Sequence, residues 1–336
     1  MTAQKLLKRG ALSILRGVGA YPVLSSLNRR DCKLLILCYH GISLHDEHEW
    51  LGGLYLSPDR FRERLHFLKV SQANVLNLDE GLERLRSRSL PPRSVVITFD
   101  DGFHDFYRRA LPILREFNYP STVYVSTYYS KYRLPIFNLI LDYILWKSKR
   151  PQADLSVIEL GKSLPIRNEA ERAQVVQWIV RWADTANLST QEKNDFAAEF
   201  AANVQIDYEL LVRDRLLQIM SPDEISVAAS AGVQIELHTH RHRTPRDCGL
   251  FQREIRDNRA CIREFTGRDP MHFCYPSGDY ALEFLPWLRE MHVKSATTCE
   301  LGLAKRKSDP LLLPRVLDAM NIGDIDFESW LLGIRS

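Results

Sequence analysis

The stretch Ser94-Val95-Val96-Ile97-Thr98-Phe99-Asp100-Asp101-Gly102 decides how the rest of the chain is read. Six residues rich in β-branched side chains describe a strand. Ending that strand in two carboxylates and a glycine places chemistry at its carboxyl end, where α/β enzymes keep their active sites. Adjacent carboxylates at a strand end point differently, so one can bind a cation while its neighbour faces a substrate. Gly102 lets the backbone turn where a side chain would obstruct.

Upstream, the apolar run Lys33–Tyr39 reads as a first buried strand. Ser57-Pro58-Asp59 opens a capped helix with Phe61, Leu65 and Leu68 on one face. Residues 74–78 read as a weak strand and 81–87 as a short helix. Downstream, 107–117 looks helical, although Pro112 could kink it, and 121–126 is the next strand. This alternation predicts a parallel α/β architecture. From 129 to 220 the rhythm changes to Ala, Leu, Gln, Glu and Arg, with helix-like stretches at 136–147, 168–185 and 190–203, so a mostly helical insertion is expected. Alternation then resumes. Ser221-Pro222-Asp223-Glu224 caps a helix that Gly232 ends, and 233–237 is a strand. A helix over 249–266 stops at Gly267, 273–275 is a short strand, 284–292 is helical and 294–298 extended.

Composition narrows the class. The 336 residues carry 16 Gly and 16 Pro, which excludes collagen-like and low-complexity chains, and no apolar run reaches the roughly 18 residues of a membrane span. Six cysteines form no CxxC pair, so neither a disulfide scaffold nor a zinc ribbon is indicated. The net charge of +3 is unevenly placed: residues 1–33 hold seven basic side chains against Asp31, a net of +6, leaving −3 on the remainder. Leu7, Ala11, Ile14, Leu15 and Val18 recur at helical spacing among those basic residues, as in an amphipathic helix that lies on an anionic membrane surface. Arg9 and Arg16 interrupt the apolar run a secretory signal needs, so a cytoplasmic location, peripheral on the inner membrane face through residues 1–30, is expected. A terminal helix packed on its own domain, or a transit peptide, has the same composition. No basic–aromatic stripe suggests nucleic acid.

Two further features fall at strand ends. His238-Thr239-His240-Arg241-His242 follows a strand directly, and imidazoles at 238 and 242 can converge on one metal from a tight turn while His240 points elsewhere. Phe273-Cys274-Tyr275-Pro276-Ser277-Gly278 is a rigid strand-to-turn segment able to present backbone N–H groups. Each alone has a bland reading: a turn, solvated histidines beside Arg241 and Arg243, or core residues. Their joint occurrence in this order carries the signal. Reading His238-x-His240 as an amidohydrolase-type HxH pair fits less well, because that pair comes early in such chains.

Together these motifs resemble the polysaccharide deacetylase (NodB-homology, carbohydrate esterase family four) family: Thr98-Phe99-Asp100-Asp101-Gly102 its TFDDG motif, 238–242 its H-[ST]-x-x-H motif, 273–278 its third motif. Tyr39-His40-Gly41-Ile42 resembles the YHxI opening of the family's membrane-associated and exopolysaccharide branches, and Leu313-Pro314-Arg315-Val316 a late element. The resemblance spans residues 34–128 and 221–320. It implies a deformed (β/α) barrel, expected with seven strands, formed by residues 34–128 and 221–336 and interrupted by the 129–220 insertion. It implies an enzyme, a metal-dependent hydrolase removing N-acetyl groups from an amino sugar in a polysaccharide, oligosaccharide or lipid-linked glycan. Asp101, His238 and His242 would hold the metal, zinc first and cobalt, nickel or iron also admitted, and Asp100 would be the general base. Backbone N–H groups of Tyr275 or Ser277 are the candidates for stabilising the oxyanion.

Two departures from the family pattern stand out. Cys274 occupies the place of the arginine that orients the base, a role Arg315 is expected to take. The late histidine that protonates the amine is missing, since His292 lies in a predicted helix; of His40 and His240, His40 is preferred because it ends the first strand. A catalytically inactive carbohydrate-binding or assembly protein on the same fold is the alternative. The insertion, entered through Tyr128, Tyr129, Tyr132 and Phe137, is expected to wall the rim.

Overall fold

A computed structural model describes residues 32–334 except Val157 and residues 159–162. The expected basic helix of residues 1–30 therefore lies outside the described residues. Seven parallel strands close on themselves: β1 (Lys33–Tyr39), β2 (Ser94–Phe99), β3 (Thr122–Val125), β4 (Gln234–Leu237), β5 (His272–Cys274), β6 (Ser295–Leu301) and β7 (Leu313–Leu317). Each pairs with the next, and β7 returns to β1 through Leu37↔Val316 and Cys38↔Leu317. The barrel is deformed because its pairing is uneven. β1 and β2 are in register from Leu35↔Val95 to Tyr39↔Phe99, β4 and β5 only at Phe273↔Leu237, and β6 shifts register between Thr297 and Leu301. Two short strands extend the sheet, Asn74–Leu76 parallel to β2 and Ala304–Lys305 antiparallel to β1.

All of β2 is buried, and helices supply the outer wall. Ser57 accepts a hydrogen bond from the Arg60 amide and starts the Pro58–Val70 helix, with Pro58 in the first turn, where its missing N–H is not needed. That helix lays Phe61 against Tyr39 and Phe99, which also meets Phe106. Arg64, buried on the same helix, donates to Asp318 just after β7, and Asp318 also accepts from the Tyr39 hydroxyl.

Several local expectations change. The helix expected from 81 starts at Leu78, because Asn77 caps it through the Glu80 amide, so Leu78 does not belong to the preceding strand. Pro112 produces no simple kink. A wider π-helical turn, Phe106–Ala110, precedes the Leu111–Phe117 α-helix and accommodates the donor that proline cannot supply. His292 is exposed at φ 57°, beyond the Phe284–Glu290 helix rather than inside it.

Residues 129–221 form a separate compact unit. Its helices are Phe137–Lys147, Glu169–Thr185, Thr190–Asn203 and Tyr208–Arg213, with a small antiparallel hairpin, Gln152–Asp154 with Ser163–Pro165. The last helix and the hairpin leave no clear mark in the periodicity. Phe196 gathers this unit's core, with Phe137, Trp182 and Phe200 around it, so Phe137 belongs to a core rather than to an open aromatic entrance.

Candidate active site

The site is built at the carboxyl ends of the barrel strands. Asp100 continues the β2 ladder by donating its N–H to the Tyr39 carbonyl at 2.9 Å. Asp101 then flips to φ 67° and Gly102 to φ 81°, so the two carboxylates diverge. A Cβ on Gly102 would lie 2.9 Å from both methyl carbons of Val125, so only glycine fits. A non-glycine left-handed residue such as Asp101 stores about 1–3 kcal/mol of strain, which the surrounding structure must over-determine.

Asp101 Oδ1 lies 3.1 Å from His238 Nε2 and 3.0 Å from His242 Nε2, and the two imidazole rings are 5.0 Å apart. His238 Nδ1 lies 2.9 Å from the Cys274 carbonyl. Burial opposes charge on His238, but the Asp101 hydrogen bond and the Asp100 and Asp101 charges outweigh it and raise its pKa. Burial likewise opposes ionisation of Asp101, and the hydrogen bonds from His238 and His242 override it, holding the carboxyl well below its usual range.

Asp100 has a different partner. Arg315, from β7, donates Nη1 to Oδ1 at 2.7 Å and Nη2 to Oδ2 at 2.6 Å, a bidentate pair. The same guanidinium group reaches the Thr98 hydroxyl, the Thr298 carbonyl and Cys274 Sγ, so it crosses the barrel interior, buried. Asp100 is desolvated, yet the Arg315 charge and hydrogen bonds hold its carboxyl below the usual range. Arg315 thus reaches the carboxylate from β7, beside the Cys274 thiol that stands where the third motif has its arginine.

Cys38 joins the site without having been singled out in the sequence. Its thiol and that of Cys274 both approach Asp100 Oδ2, at 3.5 and 3.4 Å. Burial raises both thiol pKa values well above normal, so these are neutral S–H groups and poor metal ligands. That separates the donor sets. Those pairing Asp100 with Cys38 and His40, or with His238 and Cys274, combine protonated thiols with a guanidinium-bound carboxylate, whereas Asp101, His238 and His242 do not. Cys38 sits in an apolar strand like any core residue, and no local signal distinguishes it.

His40 Nε2 stands 3.9 Å from Asp100 Oδ2, and its Nδ1 is buried without a hydrogen-bond partner. Burial lowers its pKa. His240 turns away to the Thr127 hydroxyl at 2.9 Å and meets Tyr128 edge-on. The oxyanion candidates change. The Tyr275 N–H donates to the Thr297 carbonyl within the sheet, and its hydroxyl donates to the Leu311 carbonyl, so Tyr275 offers no free donor. Ser277 is exposed, at φ 55°.

The family profile of polysaccharide deacetylases matches residues 87–147 and 182–296. The chain belongs to the polysaccharide deacetylase family. The match extends into both ends of the 129–220 segment, which the motifs alone left outside it. Among curated relatives, poly-β-1,6-N-acetyl-D-glucosamine N-deacetylase of Staphylococcus aureus is 35% identical over 72 residues, covering 21% of this chain and 25% of the relative. The Staphylococcus epidermidis enzyme of the same name is 29% identical over 143 residues, 37% of this chain and 50% of the relative. The matches thus span a quarter to a half of these relatives. The fold is also that of Streptococcus pyogenes deacetylase PplD in complex with acetate, with TM-score 0.59, 18% identity, and coverage of 89% and 98% of the two chains. IcaB from Ammonifex degensii gives 0.55 and 18% over 89% and 97%.

Proposed function

We propose that this family member hydrolyses the acetamide of an N-acetylated amino sugar within a glycan, using a divalent cation held by Asp101, His238 and His242. The observation that carries the reading is the convergence of two Nε2 atoms on one Asp101 oxygen, beside a second carboxylate that Arg315 holds bidentately.

The donor set fits a cation. The Cys274 carbonyl can only accept, so His238 Nδ1 carries a proton, and whenever the ring is neutral it is Nε2 that turns its lone pair toward Asp101. That lone pair and the carboxylate oxygen repel unless a proton or a cation lies between them. A carbonyl bonded to the far nitrogen is also how metal-ligating imidazoles are oriented. Three nitrogen and oxygen ligands leave open positions, as in catalytic zinc sites, and also admit cobalt, nickel or iron. When bound, the cation supplies Lewis acidity toward the acetamide carbonyl and toward water.

The chain's own groups then move the protons. Asp100 is ionised at neutral pH and accepts a proton from the attacking water on a lone pair that Arg315 leaves free. His40, neutral at the outset because burial lowers its pKa, is the nearest imidazole outside the ligand set. It relays the proton from Asp100 to the departing nitrogen as the C–N bond breaks, leaving acetate and a free amine.

The relatives' names make poly-β-1,6-N-acetyl-D-glucosamine the first substrate to assay, with N-acetylated oligosaccharide and lipid-linked saccharide in parallel. Asp101→Ala and His242→Ala are expected to bring bound zinc and acetate release to background together. Acetate release that survives both substitutions and chelation overturns the proposal; glycan binding without turnover in the intact protein identifies a binding protein instead.

A further inference from the structure

We propose that Glu254 and Asn258, one turn apart on the Cys248–Thr266 helix, are positioning residues that hold both histidine ligands in place before any cation arrives, an inference that rests on the metal-site reading above. Asn258 is fully buried. Its Oδ1 accepts the His238 backbone N–H at 2.9 Å, and its Nδ2 donates to the Val125 carbonyl and the Thr127 hydroxyl, each at 2.9 Å. Reversing the amide would set N–H against N–H and oxygen against oxygen, so the network permits one orientation. Asn258 thereby ties the end of β3 to the residue that ligates from the end of β4.

Glu254 holds the other half of the loop. Its buried carboxylate accepts the Arg241 N–H at 2.8 Å, and the Arg241 and Arg243 guanidinium groups at 3.1 Å each. Its backbone carbonyl accepts the His240 N–H at 3.1 Å. Positions i and i+4 of one helix therefore fasten residues 238, 240, 241 and 243, on both sides of His242.

The loop needs such fastening. Thr239 sits at φ 60° and His242 at φ 55°, and a β-branched residue in the left-handed region is an outlier that relaxes unless its surroundings forbid it. Relaxation of either residue would rotate an imidazole off the shared Asp101 oxygen. Neither Glu254 nor Asn258 touches that oxygen, so their effect is on where the ligands stand.

The test is a competition titration of zinc into chelator-stripped protein, with far-UV circular dichroism on the same samples. Asn258→Ala and Glu254→Gln are expected to bind zinc about 10–100-fold more weakly than the wild type while keeping its spectrum, the range seen when groups that orient ligands are removed. Excess zinc is expected to restore acetate release, which it would not do for a misfolded barrel. The near-isosteric Glu254→Gln variant decides the matter if Asn258→Ala does not fold. Wild-type zinc affinity in the folded variants overturns this inference alone. Failure of the wild type to bind zinc overturns the metal site, and this inference with it.

Discussion

Arg315 and Asp100 show what one buried pair does to a residue's chemistry. Removing the guanidinium would leave a desolvated carboxylate with two thiols for company, so Arg315→Ala is expected to destabilise the protein by about 3–5 kcal/mol in denaturant unfolding. Arg315→Lys keeps the charge but cannot make the two parallel bonds, so it should retain much of the stability and little of the acetate release. A second buried carboxylate gives a pH dependence of opposite sign to the usual one. Glu236 has its pKa raised by burial, only partly offset by His272 and by the Met271 and His272 amides, to about 7. Between its unfolded value and 7 the folded state holds the extra proton, so this group's contribution falls as pH rises through that window. Glu236→Gln is expected to flatten that slope and to gain on the order of 3 kcal/mol at pH 8, read from unfolding midpoints across pH. A slope unchanged by the substitution would rule Glu236 out as its source. At this scale the sequence marks Asp100, Asp101, His238 and His242 because each stands in a motif with fixed spacing. Cys38, Glu254 and Asn258 carry no such mark, since their partners lie far along the chain or depend on how a helix packs.

Elements follow local rules until a neighbour intervenes. The Leu78–Ser87 helix contains Gly81, and propensity alone says that alanine there should stabilise by about 1 kcal/mol. The added Cβ would instead stand 2.8 Å from a Val96 methyl group of β2 and 3.2 Å from Leu34 of β1, both in the packed core. Gly81→Ala is therefore expected to destabilise by about 1–3 kcal/mol in thermal or denaturant unfolding, and a stabilised variant would show that the barrel yields there. Helix starts are legible where a side chain caps them, as at Ser57, but at Asn77 the nearby Gly81 draws the expected boundary inward. The π-helical turn before Pro112 is not legible, because proline announces a missing donor without saying how the preceding turn adjusts to it.

For the whole molecule, the uneven charge raises a question of location. No helix among the described residues is long and apolar enough to cross a membrane. We propose that the +6 segment within residues 1–33 meets an anionic surface, and deletion of residues 1–30 is then expected to shift the protein out of the membrane fraction. Unchanged fractionation would reject that role. Parallel α/β class and the order of chemistry along the chain were determined by sequence alone, because strand–helix alternation sets the one and the motifs that follow the strands set the other, while the barrel itself came only with the family resemblance those motifs carry. What only the tertiary structure decided is which distant groups meet. Closure of β7 onto β1 brings Arg315 back to Asp100, and the β5 carbonyl of Cys274 sets the tautomer of His238. The same packing commits the Tyr275 amide to the sheet. Spacing cannot carry that information, because contacts across a closed barrel depend on strand register and on how far each strand reaches, and both are set only when the ring closes.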